Sequence, residues 1–554
     1  MPNTNPWWKE SIVYQIYPKS FYDSNDDGIG DLKGIIEKLD YLKDLGIDCL
    51  WLCPIYKTPN DDNGYDISDY YSINPELGTM EDFDNLLKLA HEKGIKIILD
   101  IAINHTSDEH PWFIKSSSSK NNPKRDFYIW KDPKNGKEPN NWGSFFSQSA
   151  WEYHDNTGQY YLHIFSKKQP DLNWQNKVLR KEVYNVLKWW LDKGIDGFRL
   201  DVINAITKEE NYKDKQSQDK NYVLIPEEYY NQPGVHEILK EMRTLVFDNY
   251  DMVSIGETPC ITTKHANEYS EKERRELDMV FSFELRDIYY GLNGKWDRVS
   301  WTKSKFKEIV TRWQTELYNK GWQGLFLANH DTPRTVSAFG NDSLYWVQSS
   351  TMLATLLFTL QGTVFIFQGD EIGMTNVKFE SIDDYKDIDS HFFYNFSVKN
   401  NILSQTQALQ AIWDVGRDNC RTPVQWDDTK NAGFSTSNPW IKVNPNFTKI
   451  NIVSQQKDKN SILSFYKKII NFRKKNTLLT YGEFIPLDLK PDEIFAYKRI
   501  LDNKQALIVL NFSEYKTDIP KALAKDLQYN KIAVSNYKEN HEKYLSPFEA
   551  RIYI

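Results

Sequence analysis

The chain of 554 residues is long enough for more than one domain, and its 40% hydrophobic and 26% charged residues are typical of a folded protein with a large core. Its formal net charge of −8 at pH 7 argues against a nucleic-acid or anionic-membrane surface, because both need a basic face. The N-terminal residues lack the basic and apolar regions of a secretory signal, so we expect a cytoplasmic protein. The most membrane-like stretch, residues 352–367, is interrupted by polar residues and too short to span a bilayer.

Eight short runs rich in β-branched and aromatic residues recur along the chain, with helical patterns between them. They lie at residues 12–17, 49–53, 95–101, 197–202, 252–256, 279–283, 324–328 and 364–367. One apolar stripe predicts an amphipathic helix between the first two runs: Leu32, Ile35, Ile36, Leu39, Leu42 and Leu45. Alternating strands and helices predict a parallel sheet in an α/β fold, and eight strands are the number in a TIM (β/α)8 barrel.

Two regions depart from this alternation and predict further domains. The gap between the third and fourth runs is far longer than an ordinary βα connection, so a small domain is expected to be inserted after strand 3, over the barrel mouth. After about residue 480 the pattern changes to short runs separated by turn-forming residues, which is typical of antiparallel strands. We therefore assign residues 1–103 and 173–479 to the barrel, 104–172 to the inserted subdomain and 480–554 to a C-terminal antiparallel β domain, a β-sandwich.

Three carboxylates follow predicted strands directly. They are Asp201, Glu257 and Asp331, and residues at the carboxyl ends of different barrel strands converge on one mouth. Two such acids can cleave a glycosidic bond with retention, one as the nucleophile and the other as the acid and base. Arg199 lies two residues before Asp201, on the same side of an extended strand, and is expected to keep that carboxylate ionised for attack. Glu257 follows an apolar run and is the better proton donor, while Asp331 could stabilise positive charge on the sugar.

The motifs around these acids resemble those of the α-amylase superfamily, glycoside hydrolase family 13, and within it the oligo-1,6-glucosidase and α-glucosidase subfamily. Five ordered segments carry the resemblance: Asp100-Ile-Ala-Ile-Asn-His105, Gln169-Pro-Asp-Leu-Asn-Trp174, Gly197-Phe-Arg-Leu-Asp-Val-Ile-Asn204, Ile255-Gly-Glu-Thr-Pro259 and Asn329-His-Asp-Thr-Pro-Arg334. It implies Asp201 as the nucleophile, Glu257 as the acid/base and Asp331 as the stabiliser. It also implies that the terminal glucose is contacted by Asp66, Tyr65, His105, Phe165, Gln169, Arg199, His330 and Arg421.

The same resemblance implies an exo-acting α-glucosidase that releases glucose from the nonreducing end of short oligosaccharides. Val202, directly after the nucleophile, is similar to members that prefer α-1,6 linkages, although one methyl-sized difference is worth only about 1 to 3 kcal/mol. We expect a monomer whose partner is a small oligosaccharide.

Three alternatives stay open at this point. A trehalose-6-phosphate hydrolase should offer a basic phosphate pocket, for which Lys167, Lys168 and Lys264 are candidates. A sucrose isomerase would use the same scaffold, but its relatives tend to carry Thr at the position of Val202. A noncatalytic sugar-binding or transporter-associated subunit is disfavoured because all three acids are present.

An acidic loop near the N-terminus predicts a structural metal site. Oxygen-bearing residues alternate around a glycine, as in the first part of a calcium loop, although Gly34 stands where a closing Glu would be expected. The resemblance favours one Ca²⁺, or Mg²⁺, bound by Asp23, Asn25, Asp27, the Ile29 carbonyl and Asp31. Its role would be structural.

Overall fold

The computed structural model describes residues 5–209, 211–216, 222–292, 294–523, 527 and 531–554. The central feature is one sheet of eight parallel strands, which confirms the predicted barrel. In chain order, β1 to β8 are Ile12–Ile16, Cys49–Leu52, Lys96–Ala102, Gly197–Asp201, Val253–Glu257, Met279–Phe281, Gly324–Leu325 and Thr363–Phe367. All eight fall on the runs expected from the sequence.

The strands follow one another around the barrel in the order β6-β5-β4-β3-β2-β1-β8-β7. Between β6 and β7 the contact is a single parallel bridge from Val280 to Gln323, which brings the two edge strands together. The strands β1, β2, β4, β5 and β8 are buried along their whole length, as expected for a parallel sheet covered by helices. Their carboxyl ends share one face, where the predicted acids lie.

Amphipathic helices alternate with these strands. The main ones are Leu32–Glu37, Leu39–Leu45, Met80–Glu92, Lys177–Asp192, Val235–Leu245, Thr263–Ser270, Lys303–Glu316, Trp346–Thr359 and Ile462–Lys475. Others are Pro226–Tyr229, Thr335–Phe339, Ile388–Lys399, Gln405–Val415, Asp418–Arg421, Ile452–Lys457 and Leu478–Tyr481. The apolar stripe at residues 32–45 is buried as predicted except at Ile36, but it belongs to two helices that meet at Lys38. None of the described helices combines the length and apolarity needed to cross a bilayer.

The segment between β3 and β4 folds over the barrel as a small unit of its own. It contains the helix Pro111–Ser118 and an antiparallel sheet of Trp130–Lys131, Trp151–His154 and Gln159–Leu162. Its two ends meet, because His105 and Asp171 form an antiparallel bridge. Both ends of the excursion are therefore fixed at the mouth of the barrel.

A buried lysine fixes this junction. The ammonium group of Lys208, in the loop after β4, donates to the Asn104 side chain at 2.8 Å and to the Ala205 carbonyl, and lies 3.5 Å from the Asp171 carboxylate. Its side chain is only 2% exposed. Because Asn104 and Asp171 stand at the two ends of the inserted segment, one cation ties that segment to the loop after the nucleophile strand.

The C-terminal region is an antiparallel sheet of five strands, as predicted. Its order is Glu483–Leu487, Ile494–Leu501, Lys504–Asn511, Ala550–Tyr553 and Ile532–Ser535, and a separate pair joins Thr517–Asp518 to Tyr544–Leu545. One face packs on the barrel helices, where the Tyr497 hydroxyl lies 2.5 Å from the Thr359 hydroxyl. This region stabilises the outside of the barrel and lies away from the predicted acids.

The acidic loop at residues 23–31 is organised by its own hydrogen bonds. Side-chain oxygens of Asp23, Asn25 and Asp27 each accept the amide two residues ahead, at 2.8 to 3.1 Å. Asp31 instead accepts the amides of Ser24 and Gly34 and caps the following helix. Across the described residues, no group of three or more His, Cys, Asp or Glu side chains is drawn together as a metal cage. The oxygen donors of Asp23, Asn25 and Asp27 suit Ca²⁺, and the ion stays a prediction.

Candidate active site

The site is organised around one buried guanidinium group. Arg199 in β4 is 1% exposed, and its Nη1 lies 2.7 Å from Asp100 in β3 and 2.7 Å from Asp201. Its Nη2 lies 2.6 Å from Glu257 at the end of β5. Asp201 and Glu257 are thus bound to the two terminal nitrogens of the same guanidinium group. Two of the predicted catalytic acids therefore face each other on a single arginine, which the strand alternation places on the same side as Asp201.

The protonation of this cluster follows from its charge balance. Burial raises the pKa of Glu257 to about 8 and that of Asp201 to about 7, while Arg199 opposes both shifts. Burial likewise raises the pKa of Asp100 to about 6. Since one cation cannot neutralise three buried carboxylates, the cluster retains a proton, and the raised pKa of Glu257 favours that residue as its holder. The contact between Arg199 and Asp201 was predicted, but the guanidinium is shared, and Asp201 is less acidic than expected.

Tyr65 and His330 connect this cluster to the third acid. The Tyr65 hydroxyl lies 2.8 Å from Asp100 and 2.7 Å from His330 Nε2, and the two rings stack with centroids 5.2 Å apart. Gln15 Nε2 lies 2.7 Å from His330 Nδ1, which places the ring proton on Nε2. Burial lowers the pKa of His330 to about 3, so the ring is neutral. It donates to Tyr65, which in turn donates to Asp100.

Asp331 is held ionised by two arginines. Its Oδ1 lies 2.8 Å from Arg421 and 3.4 Å from Arg417, and its Oδ2 lies 3.3 Å from His330. Although burial acts in the opposite direction, the positive charges of Arg417 and Arg421 hold the pKa of Asp331 well below its usual range. Its side chain is 25% exposed, more than that of Asp201 or Glu257, so Asp331 offers a permanent negative charge to the open space of the site.

The loop after β2 differs from the expectation for Asp66. That carboxylate is fully buried and accepts the backbone amides of Asp61 and Asp62, at 2.7 and 3.1 Å. It supports the loop, whereas the acid of this loop that joins the site is Asp62, which lies 3.0 Å from Arg417. Neither Asp62 nor Arg417 was predicted from the sequence to contact the sugar. Arg417 is four residues before Arg421, and one signal for Asp62 was available, since it directly precedes the tight turn at Asn63-Gly64.

The inserted segment supplies the remaining predicted contacts. Gln169 Nε2 lies 3.2 Å from Asp62 and 3.2 Å from His105 Nε2, so these three side chains form one polar wall. Phe165 packs against His105 with ring centroids 5.3 Å apart and stacks on Phe145. Every predicted sugar-contacting residue except Asp66 therefore lies in one connected group.

Val202 has a strained backbone. Its φ of 35° and ψ of 44° are left-handed, which is costly for a β-branched residue. In this conformation its amide donates to Glu257 Oε2 at 3.0 Å. The strain thus coincides with a hydrogen bond that orients the proposed proton donor.

A glycoside hydrolase needs a protonated carboxylic acid beside a carboxylate. This site provides that pair and a permanently ionised third acid at the mouth of a (β/α)8 barrel, which defines it as the site of a glycoside hydrolase. Comparison with known proteins agrees. The α-amylase catalytic domain matches residues 15–482, and the chain belongs to that family.

Three similar proteins illustrate the range of this family. An oligo-1,6-glucosidase of Parageobacillus thermoglucosidasius is 52% identical over 556 residues, covering 99% of this chain and 98% of the relative. The crystal structure of a trehalose-6-phosphate hydrolase of Bacillus licheniformis is 44% identical with a TM-score of 0.94, covering 99% of both chains. That of an isomaltulose synthase of Protaminobacter rubrum is 41% identical with a TM-score of 0.94, covering 100% of this chain and 99% of the other.

The protonation scheme predicts the pH dependence of hydrolysis. Because the reaction needs Glu257 protonated and Asp201 ionised, kcat/KM should be bell-shaped, with an alkaline limb near the pKa of about 8 of Glu257. In Glu257→Gln the alkaline limb should disappear, and disaccharide hydrolysis should fall by about 10²- to 10⁴-fold. An aryl glucoside whose leaving group needs no proton should be much less affected and serves as the control. Persistence of the limb in this variant would assign it to another group.

The different positions of Asp62 and Asp66 predict separate effects of the two substitutions. Asp62→Asn should lower kcat/KM by at least about tenfold, the equivalent of one lost charged contact, and leave the melting temperature nearly unchanged. Asp66→Asn should destabilise the fold by about 1 to 3 kcal/mol, because two buried amides lose their charged acceptor. Thermal unfolding and steady-state kinetics on both variants measure this. The reverse pattern would restore Asp66 as the residue that contacts the sugar.

Proposed function

We propose that this protein is a retaining, exo-acting α-glucosidase that releases glucose from short α-glucosides and prefers α-1,6 linkages such as that of isomaltose. The observation that carries the proposal is the contact of Asp201 and Glu257 on one guanidinium. Retaining enzymes hold their two carboxyl groups about 5 to 5.5 Å apart, whereas inverting enzymes leave room for a water between them. Two carboxyl groups bound to the terminal nitrogens of one guanidinium are held close together, which favours the retaining mechanism.

The arrangement assigns a role to each acid. Asp201 Oδ1 is bound by Arg199, so Oδ2 is the oxygen available to attack the anomeric carbon. Glu257 gives its proton to the glycosidic oxygen as that bond breaks, and a covalent glucosyl ester forms on Asp201. Glu257, now ionised, then takes a proton from water, which attacks the anomeric carbon, breaks its bond to Asp201 and releases glucose with the original configuration. Asp331 stabilises the positive charge that develops on the sugar in both steps.

Exo action is supported by the ion pair between Asp62 and Arg417. This pair joins the loop after β2 to the segment after β8 and closes the polar wall formed with Gln169 and His105. A sugar that reaches Asp201 therefore meets charged and amide groups that can bind its terminal hydroxyls. A cleft closed in this way accepts a chain end and excludes the middle of a polymer.

The relatives, one candidate lysine and Val202 bear on the substrate. The oligo-1,6-glucosidase named above spans the whole chain, which favours the same activity here. Of the lysines considered for phosphate binding, Lys264 is 82% exposed and lies 3.8 Å from Glu268 along its own helix, a poor position for a phosphate pocket. The isomaltulose synthase shares the fold, but Val202 favours hydrolysis of α-1,6 linkages over isomerisation.

The test is a panel of isomaltose, maltose, sucrose, trehalose and trehalose 6-phosphate, with products identified and the anomer first released followed by NMR. We expect isomaltose to give the highest kcat/KM and α-glucose as the first product. The variant Asp201→Asn should fold normally and lose at least about 10³-fold in kcat, as expected for removal of a nucleophile. Initial release of β-glucose, or near wild-type turnover by that variant, would overturn the mechanism; preferred cleavage of the phosphorylated sugar would replace the substrate assignment.

We also propose that the loop at residues 23–31 binds one Ca²⁺, or Mg²⁺, in a structural role. The support is the set of oxygen-bearing side chains, Asp23, Asn25 and Asp27, with the Ile29 carbonyl and Asp31 completing the donors. Metal analysis of dialysed protein should find about one equivalent, and EDTA should lower the melting temperature without changing the pH profile. If an Asp23→Ala variant had the same metal content as the wild-type protein, that result would contradict the proposal. The cytoplasmic location and monomeric state expected from the sequence stay predictions.

A further inference from the structure

A second cavity lies on the far side of the Lys208 junction. It has a volume of about 360 Å³, within the range of roughly 300 to 1,000 Å³ common for small-molecule sites. Its walls come from Asp126 and residues 128–131, from residues 173–175, from residues 206–208 and from Tyr212. The acids of the active site stand instead at the ends of β4 and β5 and after β7. This cavity is therefore distinct from the cleft in which we place hydrolysis.

The lining combines rings with groups that can bind hydroxyls. Trp130 and Tyr212 are both partly exposed. The Arg125 guanidinium lies 3.5 Å from the centre of the Trp130 ring, and the Lys131 ammonium lies 4.2 Å from that of the Tyr212 ring. Asp126 and Gln175 are exposed and add a carboxylate and an amide to the same cavity. A carboxylate and an amide can accept from and donate to neighbouring sugar hydroxyls, and the exposed ring carbons add apolar contact for the C–H groups of a pyranose.

The charges of the lining favour a neutral ligand. Lys131 and Asp126 contribute one positive and one negative charge. Lys208, which closes the cavity on the barrel side, is paired with Asp171 and fully occupied by Asn104 and Ala205. A phosphate or carboxylate would therefore meet little net positive charge, whereas a neutral sugar would meet donors and acceptors in balance.

We propose that this cavity is a second carbohydrate-binding site that takes glucose or the end of a short neutral glucoside. A sugar bound there lies against Lys208, whose partner Asn104 is 3.2 Å from the Nδ1 of His105 in the catalytic cleft. The accessory site and the cleft thus share one wall. The proposal concerns binding at this cavity and does not depend on which linkage the enzyme cleaves.

The test uses the Asp201→Asn variant, which binds isomaltose without consuming it, in calorimetric titrations with isomaltose and with glucose. We expect two binding events per molecule. Adding Asp126→Ala and Gln175→Ala should weaken one event by about tenfold or more, equivalent to about 1.4 kcal/mol, and leave the other unchanged. In the chain with intact Asp201, the same pair should keep kcat/KM at low isomaltose within about twofold of wild type.

Asp155→Ala is the matched control, because it removes one exposed carboxylate of the same inserted segment outside the cavity lining. A single binding event, or two events that both survive the double substitution, would overturn the proposal. So would equal weakening by the control. Hydrogen exchange on the wild-type protein gives a second measurement that needs no variant: glucose should protect residues 126–131 and 173–175, and unchanged exchange there would also overturn it. Failure of the proposed hydrolysis would instead appear in the substrate panel.

Discussion

The active site depends on one arginine that serves three carboxylates. Arg199 is buried between Asp100, Asp201 and Glu257, so the charge balance of the cluster forces a proton to stay on one acid. Burial selects Glu257 for that proton. Asp331, with two arginines of its own, remains ionised a short distance away. All three acids are carboxyl groups, and they differ in the number of cations beside them. The acids that share Arg199 supply the proton donor and the nucleophile, and the acid with two arginines is the permanent anion.

Most of the fold could be predicted because a buried parallel strand has a strong local signature. Each of the eight runs was apolar and ended in residues that favour turns, and each became a barrel strand. The prediction was weaker where tertiary contacts decide the outcome. The apolar stripe from Leu32 to Leu45 fits one continuous helix, yet the chain forms two helices that meet at Lys38. Apolar periodicity continues across such a break, so the periodicity does not show where one helix ends and the next begins.

The site residues that lie on strands or directly after them could be predicted from the sequence. Asp201, Glu257 and Arg199 follow from alternation along β4 and β5, and the structure places them in contact. Asp62 and Arg417 were missed, because their pairing joins loops 355 residues apart and depends on how both loops fold. Asp66, which matched a motif, accepts the backbone amides of Asp61 and Asp62 and so supports the loop. In a loop, neighbouring acids of the same type can exchange the roles of ligand and support, and only the direction of the backbone amides distinguishes them.

The Lys208 junction has a consequence for how firmly the inserted segment is held. A free ion at this position would dissociate whenever its concentration fell, but an ammonium group on the chain itself has no such equilibrium. The wall that carries His105 and Gln169 should therefore keep its place regardless of the salts around the protein. The corresponding weakness is chemical: loss of that single positive charge would leave Asp171 buried without a counter-charge, a penalty of about 3 to 5 kcal/mol, and would loosen the catalytic cleft and the neighbouring cavity together.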